Sequence, residues 1–554
     1  MIKENLIELY EKCFKDNWER PALTDYFKKK TLSYGELSEN IVKLHILFEN
    51  LGVKKGDKIA LIGRATPNWG TVFMATISYG AVIVPILQDF NENDIQHIVN
   101  HSDSVLLFAG EQYYEKLDKD NMSALHSALC IDNFKPYFII EKYTRSASYT
   151  HVDEVYAERY PKGLSAETLK FKHTPNSELM LLNYTSGTTG FSKGVMLTGN
   201  NIAGNMLFGM SLNVHYPGSR ALAFLPLAHA YGCAFDFLYP LIVGAHVTML
   251  GKIPAPKLLI AAMHEVKPSV IFTVPLIIEK IYKKQIQPML EKQLTKFALK
   301  VPLLDNGIYS VIRKKLSESF GGEFTQIIIG GAAINNEVEE FLRKIKLPFT
   351  IGYGMTECAP LISYEHPDKF IPKSCGKILP DIMEVKIDNR EPLSGVGEIC
   401  VRGENVMMGY YKNEEATRAV LDDEGWLHTG DMGSTADDDT IFIRGRSKTM
   451  ILRSNGQNIY PEEIESKLNN MPCVMESLVV ERDNKLVALV YPDYESLDAI
   501  GSRGEQMMLS VMKANIEELN TQVAAYEKIS DVVLYPEEFE KTPKRSIKRY
   551  LYTT

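Results

Sequence analysis

The chain lacks the cysteine pattern of a disulfide scaffold or a zinc site. Its seven cysteines, at positions 13, 130, 233, 358, 375, 400 and 473 of 554 residues, share no CxxC spacing. An odd, scattered set fits a reducing compartment. Long hydrophobic runs are missing too. YGAVIVPIL is among the longest, well short of the roughly 20 apolar residues a membrane-spanning helix needs. The start, MIKENLIELYEKCFKDNWERP, is charged throughout and is unlike a secretory signal. These absences point to a cytoplasmic protein and leave peripheral membrane contact open. Positive charge is in deficit, with 61 Lys+Arg against 70 Asp+Glu and a net charge of −9. Bulk electrostatics therefore repel nucleic acid, and no nucleic-acid partner is expected. Internal repeats and low-complexity tracts are absent, and oligomeric state leaves no signal.

What is present reads as an ordinary globular composition, 45% hydrophobic and 24% charged. The length permits a sizeable core. Short apolar runs alternate with helical patterns. DKIALIG (57–63) reads as a buried strand, NWGTVFMATISYG (68–80) as a helix and AVIVPIL (81–87) as a strand. The rhythm returns at SVIFTVP (269–275), TQIIIGG (325–331) and PFTIGYG (348–354), with helical stretches between them. Strands separated by helices imply parallel βαβ units. The expected class is α/β, a large N-terminal domain of mixed and parallel sheets flanked by helices. Residues 283–322 break the rhythm with a lysine-rich amphipathic stretch. It reads as a solvated helical excursion, or as a surface that meets lipid or covers an apolar tunnel. At RGRSK (444–448) the texture changes again. We place a boundary there, with domains 1–445 and 446–554, the second a small, mobile α+β unit.

The chemistry concentrates in LMLLNYTSGTTGFSKGVMLT (179–198). A buried strand feeds a loop of small and hydroxyl residues. Gly187 and Gly190 let backbone N–H groups approach an anion, Ser186, Thr188 and Thr189 add hydroxyl donors, and Lys193 adds a positive charge. Those are the parts of a phosphate cradle. The spacing is not GxxxxGK[ST], so this is not the P-loop of ATPases. A Gly/Thr-rich surface turn has the same composition, but this string resembles the phosphate-binding signature of the adenylate-forming (AMP-binding) enzymes.

Further segments carry the resemblance along about 500 residues. KTLSYGELSENI (30–41), ISYGAVIVPIL (77–87), FLPLAHAYG (224–232), GGAAI (330–334), YGMTE (353–357), WLHTGDMG (426–433) and GRSKTMILRSNGQNIYPEEIE (445–465) follow in the family's order. Within the family, the long-chain fatty acid–CoA ligases are most similar. Each segment also has a physical reading. Gly331 and Ala332 end a strand where backbone lies against a flat ring. Tyr353, with Gly354 and Thr356 beside it, offers a face for adenine. Glu357 is a hard oxygen ligand suited to Mg²⁺ bound to phosphates, and the resemblance implies Thr185 as its partner. Asp431 can accept hydrogen bonds from both ribose hydroxyls, with Arg446 as the family's second ribose contact. His229 is a candidate beside the acyl carboxylate. His428 is assigned no role.

The resemblance implies two steps. A carboxylate attacks the α-phosphate of ATP, leaving acyl-AMP and pyrophosphate; the thiol of coenzyme A then displaces AMP. It also implies a rotation of the small domain, with Lys448 at the hinge and Gly456 lining the pantetheine channel. One departure stands out. The family's C-terminal pattern TPxGK[IL]xR carries a catalytic lysine, and here Ser546 takes that place. Lys548 and Lys544 flank it on the same face of an extended segment. Lys548 is the first candidate for the role and Lys544 the second. The expected substrates are a medium- to long-chain fatty acid or another carboxylic acid, with ATP, Mg²⁺ and coenzyme A. Two alternatives are a ligase that loads a carrier-protein phosphopantetheine, and a nucleotide- or lipid-binding protein that has lost catalysis.

Overall fold

The computed structural model describes residues 2–145, 151–185, 192–251, 254–290, 304–452, 458–483, 485–499, 501, 504–542 and 547–553. The expected alternation of strands and helices is observed. Pro67–Tyr79 is helical because its ends are specified by chemistry. Thr66 caps the N-terminus by accepting from the Trp69 N–H, Pro67 occupies the first turn, and Gly80 turns out at φ 86°. Nearly every side chain of that helix is buried, as expected of a helix packed between layers.

The largest sheet has eight strands. Its middle strands, Val82–Pro85, Lys58–Ile62, Ser104–Ala109 and Ser127–Cys130, run parallel. Leu179–Thr185 joins Val82–Pro85 in parallel, then pairs antiparallel with Lys193–Thr198. The two-residue strand Gly409–Tyr410 closes that edge beside Val195 and Met196. A second sheet of four strands contains Arg220–Ala223 and His246–Met249. A third is wholly parallel, in the order Ile271–Thr273, Ile327–Ile329, Phe349–Ile351. Beyond it lies an antiparallel sheet of Met383–Asp388, Gly397–Gly403, Leu427–Thr435 and Ile441–Arg446.

The C-terminal segment builds a separate layer. Val474–Arg482, Lys485–Pro492 and Ile529–Leu534 form a three-stranded sheet backed by the helices Pro461–Leu468 and Glu505–Leu519. The apolar cores divide in the same region of the chain. Ile443 packs against the first core, and Ile451 against the C-terminal one. Across the gap Lys283 Nζ donates to the Asn469 carbonyl at 2.8 Å, and Asn470 donates to Asn335 Oδ1 at 3.0 Å. The lysine-rich stretch is helical at Gln287–Leu290 and Leu304–Ser319, and residues 291–303 lie outside the described residues. No helix among the described residues is long and apolar enough to cross a membrane.

Candidate active site

A cleft of about 2770 Å³ is lined by both units. It lies where the parallel strands end, the usual place for a ligand in an α/β sheet. Ile327–Ile329 delivers Gly330, Gly331 and Ala332, and Phe349–Ile351 delivers Tyr353, Gly354, Thr356 and Glu357. Gly331 adopts φ 86°, which an L side chain rarely tolerates. At Gly354 a Cβ would sit 2.2 Å from the Pro360 carbonyl oxygen, so only glycine fits.

Asp431 organises one wall. It faces Arg446 across the antiparallel pair Leu427–Thr435 and Ile441–Arg446. Register therefore brings two residues 15 positions apart within 2.6 Å, Arg446 Nε to Asp431 Oδ1. Tyr353 Oη donates to Asp431 Oδ2, also at 2.6 Å. The aspartate side chain is 5% exposed and the arginine 56%. Burial pushes the Asp431 carboxyl up from its ordinary value, and Arg446 and the tyrosine hydroxyl oppose that shift. The result is a buried acceptor with a cation beside it at the cleft surface.

A second group gathers at the end of the strand Leu179–Thr185. Thr185 ends its strand directly opposite Lys193. Residues 186–191 of the loop between them, with Ser186, Gly187, Thr188, Thr189 and Gly190, lie outside the described residues. Lys193 Nζ stands 4.9 Å from the centroid of the Tyr410 ring. Tyr410 Oη donates to Glu357 Oε1 at 2.8 Å. Burial and the adjacent Glu357 push the phenol far above its usual range, so it stays a donor. Glu357 and Thr185 both line the cleft. A buried carboxylate and a hydroxyl are hard oxygen donors, which fit a divalent cation carried with phosphates.

The acyl side is apolar. Phe235 and Phe272 stack at 5.4 Å between centroids, and Tyr239, Leu259 and Met263 line the same wall. Tyr231 Oη donates to the Ile328 carbonyl at 2.9 Å, which ties this wall to the central strand of the third sheet. His229 lines the cleft, and its Nδ1 accepts from the Tyr231 N–H at 3.3 Å. Asp236 is fully buried in the same wall. Its Oδ2 accepts from the Phe224 and Leu225 N–H groups at 3.1 and 3.0 Å.

From the C-terminal unit, Lys548 reaches the cleft lining. Its Nζ lies 3.2 Å from Glu540 Oε2. Lys544 and Gly456 lie outside the described residues. Lys448 is exposed in the turn that follows Arg446. Tyr410 and Glu398 carry no motif, whereas Glu465 and Arg549 each end a segment quoted above, with no sign in the sequence that they meet. Tyr410 could have been suspected only from its pairing with Val195. Glu398, which accepts from the Gly430 N–H at 3.0 Å, holds His428 Nδ1 at 2.9 Å and explains that histidine as a local brace. Arg549 and Glu465, which meet at the cleft wall, are 84 residues apart in sequence.

Residues 10–411 match the AMP-binding enzyme family, and residues 448–553 match the AMP-binding enzyme C-terminal domain. The chain is 28% identical to long-chain-fatty-acid–CoA ligase 5 of Rattus norvegicus over 92% of this chain and 80% of that one. It is 27% identical to 4-coumarate–CoA ligase CCL1 of Humulus lupulus, over 98% and 93%. Among solved structures, the O-succinylbenzoate coenzyme A synthetase of Bacillus subtilis in complex with AMP is similar in fold. Its TM-score is 0.73 at 21% identity, and the match covers all of this chain and 98% of that one.

Proposed function

Because the chain belongs to the AMP-binding enzyme family, we propose that its cleft activates a carboxylic acid with ATP and transfers the acyl group to coenzyme A. The observation that carries this reading is Asp431, a buried acceptor held between Tyr353 and Arg446 at the cleft. Its carboxylate accepts from the ribose hydroxyls, and Arg446 opposes the upward push of burial on that carboxyl. The adenine lies against Tyr353, Gly331, Ala332, Gly354 and Thr356. Ser186–Gly190 and Lys193 hold the phosphates, with Thr185. Thr185 and Glu357 hold magnesium, which when bound neutralises phosphate charge.

Pyrophosphate leaves as the acid's carboxylate attacks the α-phosphate. Charge builds on phosphate oxygens, and a preorganised cation in a dry site stabilises it. Lys548 is that cation, with Lys544 the second candidate, and His229 lies by the acyl carboxylate. The two domains are 1–445 and 446–554. Lys448 serves as the hinge between them, and Gly456 lines the channel for the pantetheine arm. The acid is a medium- to long-chain fatty acid. The aromatic and aliphatic wall of Phe235, Tyr239, Met263 and Phe272 supports this, as does the likeness to the rat ligase.

The test is acid-dependent exchange of pyrophosphate into ATP, followed by AMP release with coenzyme A across acids of increasing chain length. Exchange with no acid tested would sink the activation reading. A preference for hydroxycinnamic or benzoic acids would replace the fatty acid. Acyl transfer to a carrier protein in place of free coenzyme A would replace the acceptor.

A further inference from the structure

We propose that Arg549 is a positioning residue that presents Lys548 to the cleft by clamping the C-terminal strap, residues 547–551, onto the helix Pro461–Leu468. The proposal rests on the reading of Lys548 given above and adds what holds that lysine in place. Arg549 Nη2 donates to Glu465 Oε2, and its Nε lies 3.7 Å from Glu462 Oε1. The two carboxylates stand three residues apart on one helix face, so a single guanidinium fork spans both.

Each glutamate has a second task. Glu465 Oε1 accepts from the Val479 N–H at 2.6 Å, which ties the clamp to the sheet of the C-terminal unit. Glu462 Oε1 accepts from Thr449 Oγ1 at 2.6 Å, in the turn just after Arg446. One arginine therefore joins the strap, the helix, the sheet and the segment between the two units.

The adjacent residues are held very differently. The Arg549 and Glu465 side chains are 18% and 10% exposed. Separating them would strand charge in a dry place, which is costly. Lys548 pairs with Glu540, whose side chain is 65% exposed. Water screens that pair, and it separates easily. The Lys548 backbone N–H still donates to the Glu540 carbonyl at 2.8 Å. The main chain at 547–549 is thus pinned while the lysine head can leave its partner for an anion in the cleft. A lysine at 549 would supply charge without the planar fork.

The experiment uses the full chain and three readouts: pyrophosphate exchange, thioester formation from preformed acyl-adenylate and coenzyme A, and tryptic cleavage after Lys548 followed by fragment mass. Arg549→Met is expected to slow exchange on the order of a hundredfold while thioester formation stays within about twofold, since a small displacement of a reacting group is enough. Arg549→Lys recovers part of that loss. Cleavage after Lys548 becomes faster in Arg549→Met because the strap is released. Equal losses in both half-reactions, undiminished exchange, or cleavage at the wild-type rate each overturn the clamp. Wild-type protein that performs no exchange overturns the proposed function instead, and the cleavage rate still decides the clamp.

Discussion

The two walls of the cleft are made in different ways. On the large unit, Asp431, Tyr353 and Tyr410 are buried groups placed by strand register, and buried Glu357 follows in the short turn Thr356–Cys358. On the small unit, Lys541, Lys548 and Arg549 are cations near its C-terminal end, each paired with a glutamate of its own unit. The first wall is rigid because moving any member would orphan a buried partner. The second is mixed: the Arg549–Glu465 and Lys541–Glu476 pairs are largely buried, and Lys548–Glu540 is the exchangeable surface pair. A site that must bind a nucleotide firmly and bring up a cation only for one step needs both kinds of wall.

Four measurements test that contrast. The largest effect is expected from Lys548→Ala. Loss of a preorganised cation should slow pyrophosphate exchange by roughly 10²–10³, about 3–4 kcal/mol, with little effect on thioester formation from preformed adenylate. Equal slowing of both half-reactions would assign Lys548 to structure. Next comes Asp431→Ala. It removes the ribose acceptor and strands Arg446 and the Tyr353 hydroxyl, and should raise the KM for ATP by 10- to 100-fold, about 2 kcal/mol. A change confined to the KM for the acid would contradict the placement of the nucleotide.

The third concerns charge buried without a cation. Asp236 is raised to about 7 by burial, against an ordinary value of 3.8. In this window the native state holds a proton that the unfolded chain releases. The stabilisation is therefore fully present below pH 4 and is lost as pH rises through about 7. Wild type should lose on the order of 1–2 kcal/mol relative to Asp236→Asn between pH 5 and pH 8, allowing for local relaxation. Urea midpoints at the two pH values read the difference. Parallel curves would mean that Asp236 is already ionised. The smallest effect is expected from Lys283→Met, which removes the hydrogen bond to Asn469. It should weaken docking of the small unit by about 1 kcal/mol, seen as faster hydrogen exchange around Ser466–Asn470. Unchanged exchange there would show that the contact contributes nothing to docking.

Much of the first wall could be read from the chain before folding. Thr66, Pro67 and Gly80 mark a helix by local chemistry, and the apolar runs at 58–62 and 327–329 mark parallel strands. Asp431 and Arg446 stand in recognisable segments, yet only the β register shows that they touch. Tyr410 was invisible, because nothing local distinguishes a two-residue edge strand from a loop. The Arg549–Glu465 contact spans 84 residues and depends on how a helix packs against a strap. Such long-range pairs have no signature in composition or periodicity. The loop after Thr185 shows the reverse case, a segment whose residues were eloquent in sequence and of which residues 186–191 lie outside the described structure.

The Asp431–Arg446 pair is also the last rung of its ladder before the chain enters the turn Ser447–Thr449. Were the small unit to swing about that turn, points near the axle would barely travel, while points at the rim would sweep a wide arc. The Asp431–Arg446 pair sits at the axle, and Arg549, joined to that turn through Glu462 and Thr449, lies close to it, while the strand Val474–Arg482 carries the sheet outward. A nucleotide gripped at the pivot could stay in place while the tools applied to its far end are exchanged.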